Sequence, residues 1–256
     1  MESKAKGRKP DPLSYRQRDY RGVMAAEGMI RCQVTIRETD LLILADRDVT
    51  DQATHLVMQY RSHLETYISR HAEFLTSLIP MATDPLAPPI VKEMLRAAQL
   101  AGVGPMAAVA GAIAEFVARD LLETSVKEII IENGGDIFMS RQQDSRAAIF
   151  AGTSPLSNKI AIKIPKSFMP IGICTSSGTI GHSLSFGQAD SVTVLAPSAS
   201  LADAAATRLG NELTAITDMN HALAVARNLP GLLGVVMIKD DHLGVWGEIE
   251  LAPLHD

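Results

Sequence analysis

Ile129-Ile130-Ile131-Glu132-Asn133-Gly134-Gly135-Asp136-Ile137-Phe138-Met139 reads as two short strands about an Asn-Gly turn. Glycine accepts the positive φ that a two-residue hairpin turn needs, so antiparallel pairing is the natural outcome. The same four turn residues admit a second reading. Glycine lets main-chain amides approach a phosphate or a ring, and Asn133 and Asp136 can read a ligand's polar edges. Turn and ligand site both stand at this point.

Upstream, Met29 to Thr35 and Leu41 to Leu44 form another hairpin across Glu38-Thr39-Asp40. Asp48 or Thr50 then caps a helix through His71, because Leu56, Tyr60, His63, Leu64 and Tyr67 recur at spacings of three and four. Asp84-Pro85 and Pro88-Pro89 mark a linker, followed by helices over Ile90 to Leu100 and Met106 to Leu122. Downstream come strands at Ala147 to Phe150, Ile160 to Ile164, Pro170 to Cys174 and Ser191 to Leu195, with a loop over Thr175 to Gly178. Helices over Leu201 to Leu213 and Asn220 to Asn228, then strands at Gly234 to Ile238 and Leu243 to Trp246, complete the order. This is neither a regular βαβ alternation nor a repeat. It predicts an α+β fold with mixed or antiparallel sheets and helices packed against them.

The 256 residues suffice for a large core without disulfide or structural zinc. Cys32 and Cys174 form no CxxC element, which points to a reducing, cytoplasmic setting; one disulfide between them stays open. No apolar run follows the N-terminal lysines, and Ala97 to Ala114 is too rich in alanine and glycine for a membrane span. A net charge of -5 gives no nucleic-acid footprint. Residues 1–22 differ, carrying seven basic side chains against three acidic ones, and read as a flexible basic arm ahead of a single domain over 23–256. An alanine-rich aliphatic chain of this size is also expected to form a homodimer.

Three further constellations bear on chemistry. Asp203 and Thr207 lie one helical turn apart, so a carboxylate and a hydroxyl share a face. Both are hard oxygen donors suited to magnesium beside a phosphate; alternatively Asp203 complements the helix dipole and Thr207 bonds back to the preceding turn. Cys174-Thr175-Ser176-Ser177-Gly178 with His182 reads as a phosphate-binding loop, a structural loop or a nucleophile pair. Gly102-Val103-Gly104-Pro105 is a tight interhelical turn or an anion contact. His55, His63 and His71 drift around a helix by about 80° at each step and cannot converge on one ion.

The ordered set formed by the alanine/glycine-rich helix, Asn133-Gly134-Gly135-Asp136, Thr175-Ser176-Ser177-Gly178, Ser191-Val192-Thr193-Val194 and Ala202-Asp203-Ala204-Ala205-Ala206-Thr207 resembles the ApbE-like superfamily. That resemblance implies a T-fold-like α+β architecture and flavin chemistry: binding of FAD, magnesium at its pyrophosphate, and transfer of FMN to a Thr or Ser of an acceptor protein. It makes Asn133, Gly134, Gly135 and Asp136 the flavin-contacting NxGGD segment, Asp203 and Thr207 the metal-binding Asp and Thr, and Thr175 and Ser176 part of a TSG-type loop. His182 resembles the histidine opening an HxxDPxTG segment, but Ser183-Leu184-Ser185-Phe186-Gly187 supplies neither Asp-Pro nor Thr-Gly. Ala108-Val109-Ala110-Gly111-Ala112 likewise lacks the lysine of the family's DLGGIAKG segment.

Those departures remove groups that would stabilise charge as the anhydride breaks. The expectation is therefore an ApbE-like protein that binds a flavin (FAD or FMN) or another small phosphate-bearing nucleotide, with Mg2+. A magnesium-dependent FMN transferase or pyrophosphate-cleaving enzyme, and a noncatalytic interaction module, are the alternatives. Nucleic acid and membrane are not expected partners.

Overall fold

The computed structural model describes residues 21, 26–178 and 187–254. The chain opens with a hairpin of β1 (Ile30–Ile36) and β2 (Thr39–Ala45), then α1 (Thr50–Arg70), the short α2 (Glu73–Thr76) and α3 (Pro89–Ala101). A 3-10 turn over Pro105–Ala108 leads into α4 (Val109–Leu122), followed by β3 (Ile129–Asn133), β4 (Asp136–Ser140), β5 (Ser145–Ala148) and β6 (Ile160–Ile164). Next come β7 (Ile171–Ser176), β8 (Ser191–Ala196), α5 (Ala199–Glu212), α6 (Met219–Asn228), β9 (Gly234–Lys239), β10 (His242–Gly247) and β11 (Glu250–Pro253).

The strands form an eight-stranded sheet in the order β1-β2-β3-β4-β7-β8-β9-β10 and a three-stranded sheet in the order β11-β6-β5. Every neighbouring pair in the larger sheet is antiparallel. The α+β expectation holds, and its mixed-or-antiparallel sheet resolves to antiparallel. The helices cover one face of the large sheet; the small sheet covers part of the other. Strand alternation divides the side chains accordingly: Ile129, Ile131 and Phe138 enter the helix-side core, while Ile130, Met139 and Ile173 join Ile162 and Ile164 of the small sheet.

α1 buries Ala53, Val57, Tyr60, Leu64 and Tyr67, the three-and-four spacing of an amphipathic helix. Its first turn is held by Asp48, whose Oδ1 accepts from the Thr50 amide at 2.9 Å and the Thr50 hydroxyl at 2.6 Å. Gly102-Val103-Gly104-Pro105 is a structural turn: Gly102 ends α3 at φ 75°, and a Cβ on Gly104 would lie 1.8 Å from the Ser77 carbonyl oxygen. Both cysteines are free and buried.

Four local readings change. The helix placed from Met106 begins as the 3-10 turn and becomes α-helical at Val109. α2 and β11 are additional elements. The loop expected over Thr175 to Gly178 starts later, because Thr175 and Ser176 belong to β7 and pair with Thr193 and Val192 of β8. Finally, α5 begins at Ala199, so Asp203 falls in its second turn and does not serve as an N-terminal dipole partner. That place belongs to Glu115 of α4, buried at 3% exposure, whose Oε2 accepts from the Ser200 amide at 3.2 Å and the Ser198 hydroxyl at 3.0 Å.

Candidate functional site

Asn133-Gly134-Gly135-Asp136 is a hairpin turn: Asn133 pairs with Asp136, and Gly134 and Gly135 take φ of 70° and 105°. Positive φ at both central positions explains the glycine pair. The Gly135 amide donates to Glu132 Oε1 at 2.7 Å, so it is already engaged. Glu132 is 1% exposed, and its other oxygen receives Arg21 Nε at 2.5 Å. Arg21 also donates to Asp40 Oδ2 and to the Asp40 carbonyl. Its basic side chain, near the end of the 1–22 segment, is thus buried against the hairpin.

Alternation along β3 and β4 sends Asn133 and Asp136 toward the helices. There the Asn133 side-chain amide donates to the Ala110 carbonyl at 3.1 Å. α5 arrives at the same place because two glycines admit its first residue. A Cβ on Gly111 would lie 2.3 Å from the Ala199 carbonyl oxygen, and one on Gly172 of β7 would lie 2.3 Å from Ala199 Cα. This close approach lets Asp203 Oδ2 accept from the Gly111 amide at 2.9 Å. Thr207 lies one turn farther along α5 and is partly exposed.

Asp136 and Asp203 interact across this packing. Burial raises the Asp203 carboxyl to about 7 against the stabilising Gly111 and Ala110 amides. Burial, then the Asp203 charge, hold Asp136 well above the usual carboxylate range, opposed by the Cys174 thiol and the Thr175 amide, which reaches Asp136 Oδ1 at 3.3 Å. The Cys174 thiol is itself pushed up by burial and by both carboxylates, and it donates to the Ala199 carbonyl at 3.3 Å. A protonated, enclosed thiol is a poor nucleophile, which removes the Cys174 arm of the nucleophile-pair reading.

The structure therefore brings Asn133, Asp136 and Asp203 together, with Gly111 as the amide that sequence reading missed. The signal for Gly111 was a glycine amid the small residues of α4. Thr175 contributes its backbone, while its hydroxyl bonds Thr193 at 2.9 Å, on the sheet face turned away from α5 by strand alternation. Ser176 points to the helix side; its Oγ is buried without a hydrogen-bond partner among the described residues. His182 lies outside the described residues. Among the described residues there is no group of three or more His, Cys, Asp or Glu side chains placed to hold a metal. No single helix among them is long and apolar enough to cross a membrane.

The family described as AbpE bacteria matches residues 21–230. The chain belongs to this family. As an AbpE-bacteria member of the ApbE-like superfamily, it is similar to a UPF0280 protein of Methanococcus aeolicus, 41% identical over 226 residues that cover 86% of this chain and 91% of that protein. A UPF0280 protein of Methanocaldococcus jannaschii is 38% identical over 223 residues, covering 85% and 90%. Among solved structures, the apo flavinyl transferase ApbE of Pseudomonas stutzeri aligns with a TM-score of 0.56 at 15% identity, covering 85% of this chain and 94% of that one. The flavin transferase ApbE of Vibrio cholerae aligns at 0.51 and 16% identity, covering 85% and 96%. These two likenesses show that this AbpE-bacteria chain has the ApbE fold.

Proposed function

We propose that this chain binds a flavin, FAD or FMN, or another phosphate-bearing nucleotide beside the β3–β4 turn, with Mg2+ held at Asp203 and Thr207. The observation that carries the reading is the Asp136/Asp203 pair, Asp136 buried and Asp203 partly exposed, packed against the Gly111 amide. Two neighbouring carboxylates that resist simultaneous ionisation form a receptive place for a divalent cation. The donors are hard oxygens, as magnesium prefers. Magnesium is commonly held by one or two carboxylates with ligand phosphates and waters completing its shell. When bound, the ion would neutralise charge on a pyrophosphate.

Asn133 would orient the ligand from the turn, and Ser176 Oγ adds a buried hydroxyl on the same sheet face. The ApbE neighbours, titled flavin and flavinyl transferases, support a flavin as the first ligand to test. Binding is favoured over group transfer because Ala108-Val109-Ala110-Gly111-Ala112 brings no lysine toward a breaking anhydride. The two free, buried cysteines support a cytoplasmic setting.

Calorimetric titration of FAD, FMN and ADP, with and without magnesium, tests the proposal. At least one is expected to bind more tightly with magnesium, and Asp203→Asn is expected to remove most of that gain, about tenfold or more in Kd. Failure of all three to bind, or an unchanged magnesium effect in Asp203→Asn, would falsify it.

A further inference from the structure

Arg21 ties two hairpin ends together. Leu41 of β2 stands opposite Asn133 of β3, so the β1–β2 and β3–β4 turns lie at the same end of the large sheet. By strand alternation Asp40 and Glu132 share the face of Leu44 and Ile130, opposite that of Asn133 and Asp136. The Arg21 side chain, 7% exposed, spans this face with three nitrogens. Nε donates to Glu132 Oε2 at 2.5 Å, Nη1 to Asp40 Oδ2 at 2.9 Å and Nη2 to the Asp40 carbonyl at 2.7 Å. The Arg21 carbonyl accepts from Arg31 Nη1 at 3.0 Å, which fixes the main chain as well.

Glu132 passes this hold on to the glycines. Its Oε1 accepts from the Gly135 amide at 2.7 Å. A carboxylate with one oxygen on a guanidinium and the other on an amide cannot rotate without breaking two charge-assisted bonds. Gly134 and Gly135 need such a restraint, because glycine has the widest conformational freedom of any residue. Across the ribbon the Asn133 side chain bonds the Ala110 carbonyl, so the turn is held from both faces. Lysine could not replace Arg21 here: a single ammonium nitrogen cannot occupy the three positions of the planar guanidinium.

We propose that Arg21 is a positioning residue for the ligand site: through Glu132 it holds the Gly134-Gly135 turn in the geometry that presents Asn133 and Asp136 to the ligand. An arginine of the basic segment 1–22 thereby acts on binding without touching the ligand. Its effect on binding rests on the nucleotide reading above; its hold on the turn does not.

Amide NMR of the ligand-free full chain reads the turn, and calorimetry with FAD, FMN and ADP in the presence of magnesium reads the site. Arg21→Lys keeps the charge and loses the fork. It is expected to raise the Gly135 amide exchange rate about tenfold and to weaken nucleotide binding about tenfold. Glu132→Gln should act in the same direction. Because both residues work through one contact, the double variant should lose no more than Glu132→Gln alone. Arg37→Gln, which removes an exposed pair with Glu65 at the same end of the sheet, should change neither readout. The proposal is overturned if folded Arg21→Lys keeps the wild-type Gly135 exchange rate, or if that rate rises while nucleotide binding stays at wild-type strength. It is overturned equally if the two losses add in the double variant, or if Arg37→Gln has the same effects. Should Arg21→Lys not fold, Glu132→Gln is read by the same two measurements and judged in the same way. A wild-type chain that binds none of the three nucleotides removes the function proposed above and with it the role of Arg21 in binding, while Gly135 exchange still decides whether Arg21 holds the turn.

Discussion

Asp203 carries an electrostatic load that its surroundings only partly relieve. Its carboxyl is raised to about 7, first by burial, while the Gly111 and Ala110 amides pull the other way. A folded-state value above the unfolded one means that the native protein retains a proton which the unfolded chain has released. Stability is therefore greatest at low pH with respect to this group and falls as pH rises from about 4 through about 7. Asp136, raised in the same direction, adds to that slope. In chemical denaturation without divalent cations, Asp203→Asn should flatten the dependence and be more stable than wild type at pH 8, by up to about 4 kcal/mol. An equal or lower stability at pH 8, with an unchanged slope, would contradict the coupling of the two carboxyls. Such a pair was only half visible in the sequence. The oxygen content of Asp136 and Asp203 could be read directly, but their meeting depends on α5 lying against β4 and β7, and no local spacing encodes that. The same holds for Arg21 and Glu132, 111 residues apart.

At the scale of elements, the placement of α5 rests on two missing side chains. Gly111 and Gly172 let Ala199 approach from opposite sides. Gly172→Ala would press a methyl against main-chain atoms at 2.3 and 2.5 Å, which a rotamer change cannot relieve. A loss of about 1–3 kcal/mol is expected, together with weaker magnesium-dependent nucleotide binding as α5 shifts. Denaturant melts and the same titrations measure both, and a variant of wild-type stability would show that the contact is not tight. The periodicity of α1 and the Asn-Gly hairpin were legible because each is fixed by neighbours in sequence. Thr175 and Ser176 were misread as loop because Thr-Ser-Ser-Gly has the composition of a turn. Inside the sheet, the Thr175 hydroxyl finds Thr193 on the adjacent strand, which makes a polar residue acceptable there.

For the molecule as a whole, the large sheet serves two hydrophobic cores at once. Calorimetric unfolding is therefore expected to show one cooperative transition, with the calorimetric and van't Hoff enthalpies in agreement; two separated transitions would mean that the small sheet melts as its own unit. Leu251→Asp in β11, which pairs with β6 and packs Leu251 against the core between the sheets, should lower that transition while sparing nucleotide binding on the opposite face. The α+β class followed from element order, whereas the division of the strands among the described residues into sheets of eight and three did not, because β11 returns to β6 across most of the C-terminal half. β4 carries Phe138 into one core and Ile137 and Met139 against the other. Because one backbone ribbon serves both cores, a substitution that shifts β4 disturbs the packing on both of its faces.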